Sequence, residues 1–177
     1  MTVGMLIIFG GLPGTGKTTL AREIARRISA TYVRIDSIEK AVNTSLGLDE
    51  AGIAGYMVGY AVAADNLRLG LTVIADSVNP IAITRDAWVK VAEDLGIAFL
   101  EVEVVCSDSA EHRRRVESRS SDIPGFILPT WKQVVDREYE AWDRAHVVVD
   151  TGMAGVEESV DHLIRQIWGE SSSIDAD

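Results

Sequence analysis

The sequence has 177 residues, of which 47% are hydrophobic and 25% are charged, and its formal net charge at pH 7 is −10. This length and composition predict one globular domain with a sizeable core. The single cysteine excludes an internal disulfide and favours a cytoplasmic location, while the acidic balance, with one dense basic run at Arg113 to Arg115, disfavours extended nucleic-acid binding. The longest uncharged stretch, Ala51 to Ala64, is shorter than the roughly 18 apolar residues of a membrane span, so no membrane association is expected.

Short apolar runs alternate with longer stretches of helical periodicity along the chain. The runs rich in Val, Ile or Leu predict five strands, at Gly4–Phe9, Tyr32–Ile35, Thr72–Ala75, Phe99–Val105 and His146–Val149. The predicted helices are Lys17–Ser29, Ser37–Leu69 in two pieces broken near Gly47, Ala82–Leu95, Ser109–Ser118, Thr130–Ala145 and Val156–Trp168. This alternation is typical of a three-layer α/β fold, in which helices flank a mainly parallel five-stranded sheet.

The end of the chain differs in composition from the rest. Residues from Ser171 to Asp177 are too polar and acidic to bury a hydrophobic face. We therefore predict a single domain over residues 1–169 and a disordered acidic tail over residues 170–177.

The strongest motif directly follows the first predicted strand and opens the first predicted helix. Its residues match the pattern G-x-x-x-x-G-K-[ST] over its full length, and they are Gly11, Leu12, Pro13, Gly14, Thr15, Gly16, Lys17 and Thr18. In such a loop, backbone N–H groups and the start of the helix hold a polyphosphate. Lys17 is expected to reach the β and γ phosphates, the Thr18 hydroxyl to bind Mg²⁺, and Thr19 to donate further. The motif predicts ATP and Mg²⁺ as cofactors; the alternative is a glycine-rich turn carrying an exposed lysine.

Other features separate the classes of protein that carry this loop. No Asn-Lys-x-Asp sequence occurs, which disfavours a GTPase. A mechanical ATPase normally carries a larger domain or additional modules, whereas this chain has the length of one domain. A compact phosphotransferase fits better.

Further features occur in order after this loop, and they are Asp36 after the second predicted strand, Asp76 and Asn79 after the third, Arg85 in the next helix, Arg115 with Arg119, Pro129–Trp131, Tyr139–Trp142 and Val148–Thr151. With them the sequence resembles, over almost its whole length, the small P-loop kinases of the chloramphenicol phosphotransferase, polynucleotide kinase and zeta-toxin branch. The resemblance implies a P-loop kinase fold with a helical lid.

The resemblance also implies roles for the polar residues at the strand ends. In the resembled kinases, the Asp at the position of Asp36 orients and deprotonates the acceptor hydroxyl. Asp76 is at a position where a carboxylate is expected to hold Mg²⁺ through water. Asn79 and Arg85 are expected to contact the acceptor. The alternatives are a helix N-cap for Asp36, a cap or turn for Asp76, a turn residue for Asn79 and a solvated helix position for Arg85.

Two arginines in the fifth predicted helix are candidates for a lid. Arg115 and Arg119 are four residues apart and share one helix face. The segment Ser120–Pro129 that follows contains two prolines and a glycine, which is typical of a mobile flap. We expect these arginines, Arg119 more than Arg115, to reach the nucleotide phosphates and the transferring phosphoryl group. The alternative is a charged outer face in which Glu111 pairs with Arg115.

The segment Ser37–Leu71 is expected to cover the acceptor, and it holds two basic residues against four acidic ones. An anionic acceptor would need more positive charge. The sequence therefore predicts an ATP-dependent kinase that phosphorylates a hydroxyl of a small neutral or cationic molecule. Two alternatives remain open, a 5′-hydroxyl polynucleotide or nucleoside kinase and a nucleotide-binding regulatory module without an acceptor.

Overall fold

The computed structural model describes residues 4–50 and 52–169. Within these ranges the strands are β1 (Leu6–Gly10), β2 (Thr31–Arg34), β3 (Val73–Asp76), β4 (Phe99–Val105) and β5 (Val147–Asp150). The helices are α1 (Lys17–Arg27), α2 (Ile35–Leu46), α3 (Ala54–Arg68), α4 (Ala82–Leu95), α5 (Ser109–Ser118), α6 (Trp131–Val135) and α7 (Val156–Trp168). The tail predicted over residues 170–177 lies outside the described residues.

The five strands form one sheet in the order β2-β3-β1-β4-β5, and every neighbouring pair is parallel. The central strand β1 is buried throughout, and its side chains alternate between two cores. Ile7 and Phe9 pack with Leu20 of α1 and Leu163 of α7, whereas the other face of the sheet packs against α3 and α4. This arrangement confirms the predicted α/β fold with helices on both faces of a five-stranded sheet.

The boundary between β2 and α2 differs from the prediction. The strand ends at Arg34 and the helix begins at Ile35 without an intervening loop. Asp36 therefore lies in the first turn of α2 and not at the end of the strand, and Arg34 occupies the N-cap position. The predicted alternative of a capping role for Asp36 is wrong for the same reason.

The helix predicted over Thr130–Ala145 is wrong beyond its first turn, because α6 ends at Val135. The following chain crosses the face of β4 opposite α1 and α7. Arg85 donates to the carbonyl oxygens of Glu140 and Ala141, at 3.2 and 3.1 Å. These oxygens therefore have a hydrogen-bond donor without the backbone N–H groups of a helix. The Tyr139 hydroxyl donates to Glu103 of β4 at 3.0 Å. Contacts with α4 and β4 thus replace the hydrogen bonds that a helix would make.

The predicted lid, from α5 to α6, is helical only at its two ends. Helix α5 ends at Ser118, and residues 119–130 reach α6 without forming a helix or strand. No helix among residues 4–50 and 52–169 is both long enough and apolar enough to cross a membrane.

A buried carboxylate anchors the chain that crosses β4. The side chain of Glu101 is 0% exposed, and its Oε2 lies 2.6 Å from Nε of Arg144, which is 31% exposed. Burial raises the pKa of Glu101, and Arg144 opposes that shift. The ion pair therefore compensates a charge that the fold has removed from water.

Replacing Arg144 by Met should leave Glu101 without its counter-ion. We expect the free energy of unfolding to fall by about 2 to 3 kcal/mol, below the range for fully buried pairs because Arg144 is partly exposed. Urea denaturation of Arg144→Met measures this change. Lys90→Met is the matched control, because Lys90 and its partner Asp94 are both exposed, and it should cost less than about 1 kcal/mol. Equal losses in the two variants would contradict the assigned role of the buried pair.

Candidate active site

A cavity of about 640 Å³ opens where β1, β2 and β3 end. Its walls come from the loop between β1 and α1, the first turns of α2, the residues after β3 and the segment between α5 and α6. Ligands of open parallel sheets bind at this edge because the loops from successive strands converge there. The cavity is therefore the candidate active site.

Two carbonyl groups of the glycine-rich loop, residues 11–16, are hydrogen-bonded by side chains from other elements. His112 Nε2 of α5 lies 2.9 Å from the Pro13 carbonyl oxygen, and the Thr151 hydroxyl donates to the Thr15 carbonyl oxygen at 2.6 Å. Because a carbonyl oxygen only accepts, His112 carries its proton on Nε2. Gly14 has φ 89°, which favours glycine, and it packs directly against α5. With its carbonyls engaged outside the cavity, the loop is suited to present N–H groups to phosphate.

Lys17 is the first residue of α1 and lines the cavity beside Thr18 and Thr19. It is 7% exposed. Burial lowers the pKa of its ammonium group, while the carboxylates of Asp76 and Asp36 oppose the shift. The structure thus brings the predicted phosphate-binding lysine and the two predicted carboxylates into one electrostatic group.

Asp76 lies one layer beneath the cavity wall, at the end of β3, and is 2% exposed. The Tyr32 hydroxyl of β2 donates to Asp76 Oδ2 at 2.5 Å, which fixes the carboxylate. The donor set of Thr18 on the wall and Asp76 behind it fits a magnesium ion held partly through water. The metal-binding role of both residues stays a prediction.

Asp36 lines the cavity from the first turn of α2, where the helix dipole favours a negative charge. Its Oδ2 lies 3.9 Å from Nη2 of Arg34. The carboxylate also acts on Lys17 and Arg119 across the cavity. Asp36 therefore belongs to the same electrostatic group as Lys17 and Arg119.

The two lid arginines have different surroundings. Arg119 lines the cavity, and its Nε and Nη2 have no hydrogen-bond partner among the described residues. Burial lowers the pKa of its guanidinium, and Asp36 opposes that shift. Arg115 also lines the cavity, but it donates to Glu111 at 2.8 Å and to the Thr151 hydroxyl and carbonyl at 2.8 and 3.0 Å. Buried donors without partners suit an anion, so Arg119 fits a bound phosphate, whereas Arg115 braces Thr151.

Asn79 and Arg85 do not line the cavity, which corrects the expectation that they contact the acceptor. Asn79 is 0% exposed and its amide donates to the Phe9 carbonyl oxygen at 2.8 Å. Arg85 is 1% exposed, donates to the Asn79 carbonyl oxygen at 3.2 Å and lies 5.0 Å from the ring centroid of Trp142. Through these hydrogen bonds both side chains hold the chain after β3 in place.

Sequence reasoning missed two arginines that bind the lid segment. Asp122 pairs with Arg22 of α1, and both its oxygens lie 3.0 Å from Nη1 of Arg34. Arg22 is the largest cause that lowers the pKa of Asp122, to about 2. The contact is therefore complete at neutral pH and is lost only as the pH falls through about 2. No local sequence pattern indicates the pairing of Asp122 with these arginines, because Asp122 lies 100 residues from Arg22 and 88 from Arg34.

A phosphate-binding loop, a carboxylate and a lid arginine around one cavity, at the ends of parallel strands, define a P-loop phosphotransferase. The family model described as "AAA domain" matches residues 6–137, and the chain belongs to that family. The adenylyl-sulfate kinase of Geotalea uraniireducens (strain Rf4) is 30% identical over 180 residues, which cover 95% of this chain and 82% of that protein.

Solved structures share the fold. APS kinase of Mycobacterium tuberculosis, in complex with AMPPNP and APS, has a TM-score of 0.72 at 22% identity, and the match covers 95% of this chain and 99% of that one. A gluconokinase from Sinorhizobium meliloti 1021 has a TM-score of 0.61 at 15% identity, covering 97% and 99%. The chain is thus an ATP-binding P-loop kinase that phosphorylates a hydroxyl group.

Replacing Asp122 by Asn should loosen the lid segment, because the amide cannot pair with Arg22 and Arg34 as a charge. We expect amide hydrogen exchange over residues 120–128 to become roughly two- to fivefold faster, the effect of losing a partly exposed ion pair. Hydrogen exchange with mass spectrometry measures it. The control is Asp136→Asn, which removes the exposed partner of Lys132 and should leave this segment unchanged. Unchanged exchange in Asp122→Asn would contradict the anchoring role.

Proposed function

We propose that this protein transfers the γ-phosphoryl group of ATP, with Mg²⁺, to a hydroxyl of a small neutral or cationic acceptor. The observation that carries the proposal is that Lys17, Asp36 and Arg119 face one cavity and influence one another electrostatically. A loose phosphoryl transfer depends mainly on position and on charge stabilisation. These three residues supply both.

Each of these side chains has one part in the proposed reaction. Asp36 orients the acceptor hydroxyl and accepts its proton late in the transfer. Lys17 and Arg119, which line the same cavity, stabilise negative charge on the phosphoryl oxygens. Thr18 and Asp76 are the residues that would hold Mg²⁺, which neutralises charge on the phosphates when bound. Water is kept from the transferring group by the lid segment that Asp122 anchors.

The charges around the acceptor end of the cavity support a neutral or cationic molecule. Asp36, Glu39 and Glu50 line that end, and Arg137 is the basic residue that acts on Glu39 there. Arg34 is already shared between Asp122 and Asp36. Three carboxylates against one arginine, Arg137, leave that end of the cavity with a net negative charge, which favours a neutral or cationic acceptor over an anionic one.

Sequence similarity to known kinases supports a second candidate acceptor. The similarity to adenylyl-sulfate kinases makes adenylyl sulfate, an anionic nucleotide, the competing proposal. The branch of chloramphenicol phosphotransferase, polynucleotide kinase and zeta toxin stays a prediction, as does the 5′-hydroxyl polynucleotide alternative. An acceptor panel that includes adenylyl sulfate and 5′-hydroxyl oligonucleotides separates these possibilities. The regulatory module without an acceptor has no support from the kinases to which the chain is similar.

Replacing Asp36 by Asn should remove the group that accepts the hydroxyl proton. We expect kcat for ADP release in the presence of the acceptor to fall about 100- to 10,000-fold, with the KM for ATP nearly unchanged. The assay is ATP-dependent ADP release with Mg²⁺ over sugars, amino alcohols, nucleosides, adenylyl sulfate and 5′-hydroxyl oligonucleotides. If no acceptor accelerates ADP release in the wild-type protein, the proposed function is wrong. If Asp36→Asn matches the wild type, the role of Asp36 is wrong.

Replacing Arg119 by Ala should remove charge stabilisation of the transferring group. We expect kcat to fall about 1,000-fold or more, as for other arginines that contact a transferring phosphoryl. Arg113→Ala is the matched control, since Arg113 belongs to the adjoining helix α5 but is exposed and pairs with Glu117. A similar loss in both variants would indicate a general field effect and would exclude a direct contact from Arg119.

A further inference from the structure

Glu39 is a carboxylate of the cavity that the phosphoryl transfer does not use. It follows Asp36 by three residues in α2, so both side chains lie on one face of that helix and line the cavity. Within the described ranges, Glu39 has neither an ion-pair partner nor a hydrogen-bond donor. Its side chain lies against α3 at Gly55, where an added Cβ would be 3.2 Å from its Cδ and closer still to its Cγ. The glycine thus leaves room for a carboxylate that has no partner in the protein.

Two hydroxyl groups face the same end of the cavity. Ser77 is 2% exposed and lines the cavity, and apart from its contact with the Tyr56 hydroxyl its own hydroxyl has no partner among residues 4–50 and 52–169. The Tyr56 hydroxyl accepts from the Asn79 backbone N–H at 3.4 Å, which leaves its own proton available. A buried hydroxyl without a partner is expensive unless a ligand or water satisfies it. This wall therefore offers two hydroxyl groups, those of Ser77 and Tyr56, to a ligand.

The charges around Glu39 disfavour a second anion there. Burial is the largest cause that raises the pKa of Glu39, to about 7, and Asp36 and Glu50 raise it further. Arg137, which follows α6, opposes them. A cation placed among these carboxylates would relieve their repulsion and would find its hydrogen-bond acceptors already in place.

We propose that the acceptor is an amino alcohol whose protonated amine binds Glu39 while its hydroxyl lies at Asp36. This inference rests on the proposed function and specifies its substrate class. Side chains three residues apart on a helix are separated by about 5 to 6 Å at Cβ, which suits a hydroxyl and an amine about two or three carbon atoms apart. Amino sugars and simple amino alcohols have this spacing.

The reaction then balances without further reactants. The acceptor oxygen forms a bond to the γ-phosphorus of ATP, the bond from that phosphorus to the bridging oxygen breaks, and ADP leaves. The hydroxyl proton passes to Asp36 and then to water. The ammonium group stays protonated throughout and serves for binding alone, so Glu39 is a specificity-determining residue.

The experiment compares each amino alcohol with its N-acetylated form, which keeps the hydroxyl and loses the charge. ADP release with Mg²⁺ is measured for glucosamine, ethanolamine and larger aminoglycosides beside their N-acetyl counterparts. In wild type we expect kcat/KM to be about tenfold or more higher for the amines. Glu39→Gln should raise KM for the amines about tenfold and leave kcat within about twofold, because the lost contact is equally strong before and during the transfer.

A matched variant and a pH profile separate a direct contact from a general charge effect. Asp49→Asn removes the same charge from an exposed residue that precedes Glu50 and does not line the cavity, and its KM should equal that of wild type. KM for ethanolamine, whose amine stays protonated across this range, should fall as pH rises through about 7 in wild type, as Glu39 ionises, and should not change there in Glu39→Gln.

The outcomes also distinguish this inference from the proposed function. If neutral acceptors or adenylyl sulfate accelerate ADP release as well as the amines do, the inference is overturned while the kinase function stands. Equal amine KM in wild type and Glu39→Gln overturns it as well. If no acceptor in any class accelerates ADP release, both fail together.

Discussion

The active site depends on two hydrogen bonds made behind the glycine-rich loop. His112 and Thr151 engage the carbonyl oxygens of Pro13 and Thr15, which leaves the opposite side of the loop to its N–H groups. Both partners come from elements on the β4 and β5 side of the sheet, far from the loop in sequence. The phosphate-binding surface is therefore set by the packing of the whole domain, and Arg115 extends this support by fixing Thr151.

From the loop outward, the cavity changes in electrostatic character. Lys17, Arg119 and the helix start form a region suited to phosphate, whereas Glu39 and Glu50 form a region suited to a cation. Asp36 acts electrostatically on both regions, through Lys17 and through Glu39. The proposed nucleotide and the proposed cationic acceptor would thus bind to regions of opposite charge on one concave surface.

Sequence reasoning succeeded where a feature is local. Strand and helix periodicities, and the eight residues of the loop, are contiguous, and the fold and the kinase class follow from them. It failed where a contact joins distant segments. The helix expected to Ala145 is replaced by chain that follows Glu101, Glu103 and Arg85, and the anchoring of Asp122 by Arg22 and Arg34 has no local signal.

The path of residues 136–146 across β4 has a consequence for dividing the chain. A fragment that stopped at Arg137 would contain the loop, Asp36 and the lid, yet it would lack Arg144, so Glu101 would lose its counter-ion. It would also lose Thr151 and hence one of the two supports of the loop. The residues of the proposed phosphoryl transfer all precede position 138, but Arg144 and Thr151 lie beyond it and support the structure around them.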